Sequence, residues 1–315
     1  MKFLPLICFL CSLFTGNASA QGPIVRTSNG PVEGTREGTI NIFKGIPYAM
    51  PPVGAKRWTA PEKHSGWTET KKCTEWGPSA MQSEPVPFMM WTEEFIAPPK
   101  PLSEDCLYLN IWTAGTSPKD KLPVLVWIHG GGFTGGAASC AVYDGMAMAE
   151  RGIVFVSINY RLGVFGFFAH PALTAASGHQ ASGNYGLMDQ AFALQWVKEN
   201  IAAFGGDPNA VTIAGQSAGS MSVNALVASP VAKGLFQRAI AQSGGLLNGR
   251  FAKSLKDAET IGTALQEKAG AASLDELRGK SAEEILELSS KFPFGSFSPV
   301  LDGYFLPLDL EARFR

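Results

Sequence analysis

Short apolar runs alternate along the chain with segments in which apolar residues recur at helical spacing. The runs at 123–128 and 153–158 are continuously apolar, a pattern that predicts strands buried on both faces of a parallel sheet. The run at 107–112 alternates and predicts a further strand, whereas 189–201 has the spacing of a helix. Strands that alternate with helices in this way are typical of the α/β class.

Smaller elements are predicted on either side of this core. Residues 24–33 predict two short strands about the turn signal Asn29-Gly30, and 238–243 predict another strand. The stretch from 73 to 106 contains several prolines and predicts a long loop, of the kind that is usually functional or tied down.

The chain becomes helical and more polar after residue 251. Two capping boxes, Ser273 with Glu276 and Ser281 with Glu284, predict helix starts there. We interpret about 251–292 as a helical insertion over the sheet rather than a separate domain. Residues 21–315 are then the N-terminal part of a single domain.

One short stretch combines a strand, a tight turn and a helix around a serine. Residues 215–219 read Gly-Gln-Ser-Ala-Gly and fit the pattern G-x-S-x-G, the nucleophile elbow of α/β-hydrolases. The apolar run 210–214 supplies the strand, and 218–226 supplies the helix. This context predicts Ser217 as a nucleophile; the alternative is a plain turn rich in glycine and serine.

A second glycine-rich segment, His129 to Phe133, follows directly on the predicted strand 123–128. Its three glycines leave backbone N–H groups free to approach a substrate oxygen, as an oxyanion hole requires. The combination of H-G-G-G with a later G-x-S-x-G occurs in lipases and esterases. We interpret His129 itself as a structural residue at a strand end, and the alternative for the glycines is a flexible loop.

Composition narrows the possible partners. The 315 residues carry 26 Lys and Arg against 27 Asp and Glu, for a net charge of −1. Neither a basic stripe nor an acidic tail occurs, so nucleic acid is not an expected partner. No zinc-type spacing, P-loop or dinucleotide fingerprint occurs, so no metal and no cofactor is predicted.

The first twenty residues have the composition of a signal peptide. Lys2 precedes the apolar run 3–14, and Ala18-Ser19-Ala20 fits a cleavage site. The run is too short for a membrane anchor, and a buried N-terminal helix is the alternative. We expect cleavage near Ala20 and a secreted or periplasmic protein. Cysteines 73, 106 and 140 then remain, which suggests one disulfide and one spare thiol.

Several motifs in order give a resemblance to type B carboxylesterases, the family of carboxylesterases and cholinesterases. The segments that carry it are 104–110, 129–133, 159–161, 183–190, 206–208 and 215–219. The resemblance extends from about residue 23 to the last residue. It implies an α/β-hydrolase fold, with a central, mostly parallel sheet flanked by helices and an N-terminal β-hairpin region, incomplete at the C-terminus.

The resemblance also implies roles for particular residues. It implies Ser217 as nucleophile, the backbone N–H groups of Gly131, Gly132 and Ala218 as oxyanion hole, and a small-molecule ester as substrate. It further implies a Cys73–Cys106 disulfide, a lone buried thiol at Cys140, and ion pairs Arg57–Glu104 and Arg161–Asp189. It gives neither the acyl and alcohol specificity nor the oligomeric state.

Two features depart from the family pattern. Gln216 stands where the family often has an acidic residue, which removes a negative charge that would favour a cationic substrate. Met90-Trp91 is faintly similar to the tryptophan with which cholinesterases hold choline, but the loop is longer here. We interpret Trp91 as an aromatic residue that packs under the loop.

The base that a catalytic serine needs is not apparent in the sequence. In this fold the order is serine, then Asp or Glu, then histidine. All four histidines precede Ser217, so none of them fits. We expect the acid and the base beyond Arg315, in which case the chain is truncated and its apolar sheet edge is left open, with poor solubility. The alternatives are a truncated non-catalytic product and a non-catalytic binding or adhesion protein.

Overall fold

The structure, a computed structural model, describes residues 22–246 and 252–314. The predicted signal peptide and its cleavage site at Ala20 lie outside the described residues. Within the described ranges, no helix combines the length and the apolar character that crossing a bilayer requires.

A seven-stranded sheet forms the centre of the described chain, in the order β12-β11-β9-β10-β8-β4-β3. These strands are β3 (Thr35–Glu37), β4 (Ile40–Pro47), β8 (Tyr108–Thr113), β9 (Leu122–Ile128), β10 (Val154–Ile158), β11 (Gly206–Gln216) and β12 (Arg238–Gln242). The pairs among β9 to β12 are parallel, and those among β10, β8, β4 and β3 are antiparallel. The α/β class is confirmed; the sheet is mixed, and its parallel part carries the site described below.

The two central parallel strands differ in burial. All five residues of β10 are buried, as predicted. In β9 only alternate residues are fully buried, and Leu125 and Trp127 are half-buried, so the prediction of burial on both faces is wrong for this strand. On that face the Tyr143 ring lies 5.3 Å from that of Trp127, and Leu125 and Trp127 pack against a cluster that includes Trp112 and Phe155.

Helices lie along the sheet and at its ends. They are α1 (Met146–Ala149), α2 (Gly163–Phe167), α3 (Pro171–Ala176), α4 (Tyr185–Asn200), α5 (Ala218–Ala228), α6 (Leu255–Lys268), α7 (Leu274–Arg278), α8 (Ala282–Ser290) and α9 (Leu310–Phe314). The helix predicted over 189–201 is α4, which begins four residues earlier. Eleven of its sixteen residues are buried, so it runs through the interior.

The predicted hairpin consists of β1 (Ile24–Thr27) and β2 (Gly30–Glu33). Thr27 pairs with Gly30, so the turn residues are Ser28 and Asn29, one position earlier than predicted. Short strands complete the periphery: β5 (Lys71–Lys72), β6 (Ser79–Ala80), β7 (Leu102–Ser103), β13 (Lys253–Ser254) and β14 (Val300–Leu301).

The predicted helical region contains α6, α7 and α8. The capping box at Ser281 and Glu284 is complete. At α7 the Ser273 hydroxyl accepts the Glu276 N–H, but the Glu276 carboxylate accepts from Ala272 instead of Ser273, so only half of that box forms. The region is joined to the core by the Arg57 guanidinium, which donates to two backbone carbonyls just after α7 and at its end.

Candidate active site

Ser217 occupies the turn between β11 and α5, in a strained backbone conformation with φ 56° and ψ −120°. A non-glycine residue adopts this conformation only where the surroundings enforce it. The Ser217 N–H donates to Gln242 O on β12 at 2.9 Å, and Ser217 O accepts from Met221 N–H at 3.0 Å. The predicted sequence of strand, turn and helix is confirmed.

Close backbone contacts explain the glycines around this turn. A Cβ on Gly215 would lie 2.4 Å from Gly219 O, and one on Gly219 would lie 2.1 Å from Ile128 O. A Cβ on Gly244 would lie 2.4 Å from Ser217 O. These distances are below any real Cβ contact, so the elbow closes only with glycine at these positions.

The glycine loop, residues 130–136, lies directly opposite the serine. A Cβ on Gly130 would be 3.3 Å from the Ser217 Cβ. Gly131 and Gly132 have positive φ values of 105° and 63°, and Gly131 O closes a turn by accepting from Gly135 N–H at 3.0 Å. Among the described residues, no acceptor engages the N–H groups of Gly131, Gly132 or Ala218. All three remain able to donate to a substrate oxygen.

His129 lies behind the glycine loop and is buried. Its Nδ1 lies 2.8 Å from Gly130 O, and since a carbonyl only accepts, Nδ1 carries the proton. The ring stacks on Tyr160 at 4.5 Å, and the Tyr160 hydroxyl donates to His129 O. Burial lowers the pKa of His129 to about 4, so the ring is neutral at pH 7. These contacts agree with a structural role.

The remaining histidines are held by contacts elsewhere. His64 Nδ1 accepts from Gly66 N–H at 2.9 Å, and His170 Nδ1 accepts from Ala172 N–H at the start of α3. His179 stacks on Tyr304 with ring centroids 3.8 Å apart. Within the described ranges, no histidine lines the cavity at Ser217.

A cavity of about 620 Å³ opens over Ser217 and the glycine loop. Its walls carry the aromatic side chains of Phe88, Trp91, Phe95, Tyr143 and Phe294. Trp91 is half-buried and meets Phe95 of the same loop edge-to-face at 5.4 Å, so it packs against the loop, as predicted, and it also forms part of the cavity wall.

Charge is scarce around this cavity. The one charged residue on its wall, in the part of the chain that is described, is Glu84, and Gln216 contributes an uncharged amide beside the serine. Burial raises the pKa of Tyr143 to about 12, so this wall residue is neutral at pH 7. No cluster of potential metal ligands occurs among the described residues.

Both predicted ion pairs are present. Arg57 Nε donates to Glu104 at 2.6 Å, and Arg161 donates to Asp189 from Nε and Nη2 at 2.8 and 2.7 Å. Arg161 and Asp189 are at most 2 % exposed.

The predicted Cys73–Cys106 disulfide is not formed in the structure, where Cys73, Cys106 and Cys140 are free, buried thiols. The Cys73 end of the loop is held by backbone hydrogen bonds, from Cys73 N–H to Glu33 O and from Lys44 N–H to Cys73 O, both at 2.7 Å. Burial raises the pKa of Cys73 to about 12 and that of Cys140 to about 11. Cys140 is buried, as expected.

Three residues at the site were not identified from the sequence: Gln82, Tyr143 and Phe294. Gln82 and Phe294 lie in irregular chain and Tyr143 ends a one-turn 3-10 helix, and all three are far from the serine in sequence and reach the site by tertiary folding. No periodicity or motif marks such positions.

The chain is similar to known proteins over nearly its whole length. The family model described as "Carboxylesterase family" matches residues 21–314. The para-nitrobenzyl esterase of Bacillus subtilis (strain 168) is 43% identical over 299 residues, which are 91% of this chain and 58% of that protein. The fumonisin B1 esterase of Sphingopyxis macrogoltabida is 41% identical over 295 residues, 91% of this chain and 52% of that protein.

Solved structures give the same result. A carboxylesterase of Geobacillus stearothermophilus has a TM-score of 0.79 at 40% identity and covers 90% of this chain and 57% of its own. A structure of PNB esterase has a TM-score of 0.81 at 40% identity, and the match covers 92% of this chain and 60% of that protein's chain. The chain thus spans a little over half the length of these relatives.

Proposed function

Because the chain belongs to the carboxylesterase family, we propose that the protein hydrolyses carboxylic esters through an acyl intermediate on Ser217. The observation that carries this proposal is the strained serine, held between β11 and α5 and facing unengaged N–H groups across a cavity. Relatives that bear esterase names support it.

In the proposed reaction, Ser217 Oγ attacks the ester carbonyl and its proton passes to a base. The oxygen of the tetrahedral intermediate accepts hydrogen bonds from the N–H groups of Gly131, Gly132 and Ala218. The C–O bond then breaks, the alcohol leaves with a proton, and water releases the acid from the acyl-serine by the same steps.

We propose that the base and the acid that orients it come from a part of the protein that corresponds to the remainder of the longer relatives, beyond residue 315. This accords with a cavity that no histidine lines among the described residues. Without them, the hole and the serine supply only part of the rate, so the chain alone would be a weak esterase.

The wall of the cavity supports an uncharged, largely apolar ester as substrate. Five aromatic side chains face it, and Glu84 is its charged member among the described residues. An amide at Gln216 in place of a carboxylate gives a cationic alcohol no partner beside the serine.

We also propose that the protein is exported. A positive residue, an apolar run and Ala18-Ser19-Ala20 support cleavage after Ala20 and a secreted or periplasmic mature chain. N-terminal sequencing of protein from the culture medium or periplasm tests it: a start at Gln21 supports the proposal, and retention of Met1 contradicts it.

Labelling with a fluorophosphonate probe tests the esterase proposal. We expect purified protein to be labelled at Ser217, as located by peptide mass spectrometry, and Ser217→Ala to lose the label. Ser290→Ala, an exposed serine at the end of α8, is the matched control and keeps the label. Labelling of Ser217→Ala at the wild-type level contradicts the proposal, and no labelling of wild type favours a truncated non-catalytic product or a binding or adhesion protein.

A further inference from the structure

We propose that Gln82 is a positioning residue that holds the glycine loop from behind, so that the N–H groups of Gly131 and Gly132 stay aimed at the oxyanion. The inference rests on the proposed function, since it assigns to Gln82 the geometry of that oxyanion hole. Gln82 comes from the loop 73–106, about fifty residues away from Gly136 in sequence.

The side-chain amide of Gln82 binds both backbone polar groups of Gly136, its N–H and its carbonyl. Its Oε1 accepts from Gly136 N–H at 2.9 Å, and its Nε2 donates to Gly136 O at 3.0 Å. The second N–H of Nε2 donates to Ala80 O at 3.0 Å. The side chain is 4% exposed. Because a flipped amide would set its oxygen against two carbonyls, these contacts fix the orientation of the amide.

Gly136 is the point at which the glycine loop needs an external support. The loop enters from β9 and closes on itself at Gly131 O, through the N–H groups of Thr134 and Gly135. Its exit at Gly136 has φ 105°, and a Cβ there would lie 2.6 Å from Gly130 O, so the backbone needs glycine at this point and packs closely against the start of the loop. The two bonds from Gln82 hold this exit.

A second buried amide extends the same connection. Asn159 Oδ1 accepts from Ala138 N–H at 2.8 Å, and its Nδ2 donates to Pro78 O at 3.0 Å. Gln82 and Asn159 therefore join the segment 78–82 to 136–138 at two points. Asn159 binds Ala138, two residues further along the chain than Gly136, so Gln82 is the nearer of the two contacts to the glycine loop.

Only an amide satisfies this position. A leucine of similar size leaves the N–H and the carbonyl of Gly136 without partners in a buried place, a loss that the loop relieves by moving. A carboxylate at this position can accept from the N–H but faces two carbonyls with a negative charge. Small displacements of donors reduce catalysis strongly, because stabilisation depends on donors fixed at the oxyanion position.

Hydrogen exchange read by mass spectrometry tests the structural half of the proposal without requiring turnover. We expect Gln82→Leu to speed amide exchange in peptides that cover 129–137 by tenfold or more, with exchange in β11 unchanged. The control is Gln195→Leu, which removes an exposed glutamine on α4 and should change neither segment. Unchanged exchange at 129–137 in Gln82→Leu overturns the proposal.

Kinetics test the functional half on the same variants. We expect Gln82→Leu to lower kcat for a p-nitrophenyl ester about tenfold with KM nearly unchanged, less than the roughly hundred- to thousandfold loss for a missing oxyanion donor. Gln82→Glu should approach wild type as pH falls, because a protonated carboxyl again both donates and accepts; the readout is its kcat relative to wild type from pH 8 to 5.5.

The outcomes separate this inference from the proposed function. A wild type without turnover and without Ser217 labelling contradicts the esterase proposal, and hydrogen exchange then still decides whether Gln82 holds the loop. The role of Gln82 is overturned if Gln82→Leu keeps the wild-type kcat, or if the kcat of Gln82→Glu relative to wild type does not change with pH. Either result leaves the esterase proposal intact.

Discussion

Asp189 accepts three hydrogen bonds from the single residue Arg161. The Arg161 Nε and Nη2 groups donate at 2.8 and 2.7 Å, and its backbone N–H donates at 3.1 Å. The pair joins helix α4 to the segment before α2. Gly163, the first residue of α2, donates its N–H to Phe133 O in the glycine loop at 2.6 Å. A buried ion pair thus supports the chain that contacts the glycine loop.

We expect Asp189→Asn to lower the free energy of unfolding by about 3–5 kcal/mol, because it leaves a buried guanidinium without its counter-charge. Urea unfolding at pH 7.5 measures this loss. The control is Glu287→Gln, which breaks an exposed pair with Lys291 and should change the free energy by less than about 0.5 kcal/mol. Equal effects of the two substitutions would show that burial does not set the strength of the Arg161 pair.

The buried, neutral His129 predicts a loss of stability in mild acid. Burial holds its pKa at about 4, below the ordinary value of 6.5, so the unfolded chain binds a proton that the folded chain does not as pH falls from 6.5 towards 4. From this group alone, we expect the free energy of unfolding to fall by about 2 kcal/mol between pH 7.5 and pH 5.

His129→Asn tests this prediction, since an asparagine Nδ2 can replace the donor to Gly130 O but does not titrate. Urea unfolding at pH 7.5 and pH 5 should show a smaller fall for this variant than for wild type. His179→Asn, which alters a histidine stacked on Tyr304, should keep the wild-type fall. An identical fall in wild type and His129→Asn would contradict the assignment.

The sequence predicted those parts of the site that local chemistry determines. Gly215 and Gly219 are required by contacts of the elbow with itself and with β9, so G-x-S-x-G, with a strand pattern before it and a helix pattern after it, predicts the elbow. The burial of one face of β9 was predicted incorrectly, because it depends on residues outside the strand, such as Tyr143, that pack against it. Gln82 was missed for the same reason.

The structure and the family resemblance disagree on whether Cys73 and Cys106 form a disulfide. Cys73 and Cys106 are buried free thiols in the structure, and burial raises the pKa of both. Because the thiolate is the reactive form, we expect purified residues 21–315 to react with Ellman's reagent at none of their thiols in the native state, and at three after denaturation. A single reactive thiol after denaturation without reductant would show that Cys73 and Cys106 are bridged in the isolated protein.

The last strand of the sheet leads to a prediction about self-association. All five residues of β12 are exposed, Ile240 at 46%, and the strand lies at an edge of the sheet. The opposite edge, β3, is shorter and carries Arg36 and Glu37, charges of the kind that block pairing between edges. The edge at β12 carries one charge, Arg238 at the start of the strand, and its other four residues, Ala239–Gln242, are uncharged.

We expect purified residues 21–315 to self-associate through β12, and Ile240→Lys to reduce this association because a lysine on an edge strand opposes pairing with another chain. Light scattering coupled to size-exclusion chromatography at several protein concentrations gives the mass. Val53→Lys places the same charge at a residue of similar exposure, 45%, far from this edge in the fold and should leave the association unchanged. A monodisperse monomer of the unsubstituted segment at all concentrations would contradict the prediction, as would equal effects of the two lysine variants.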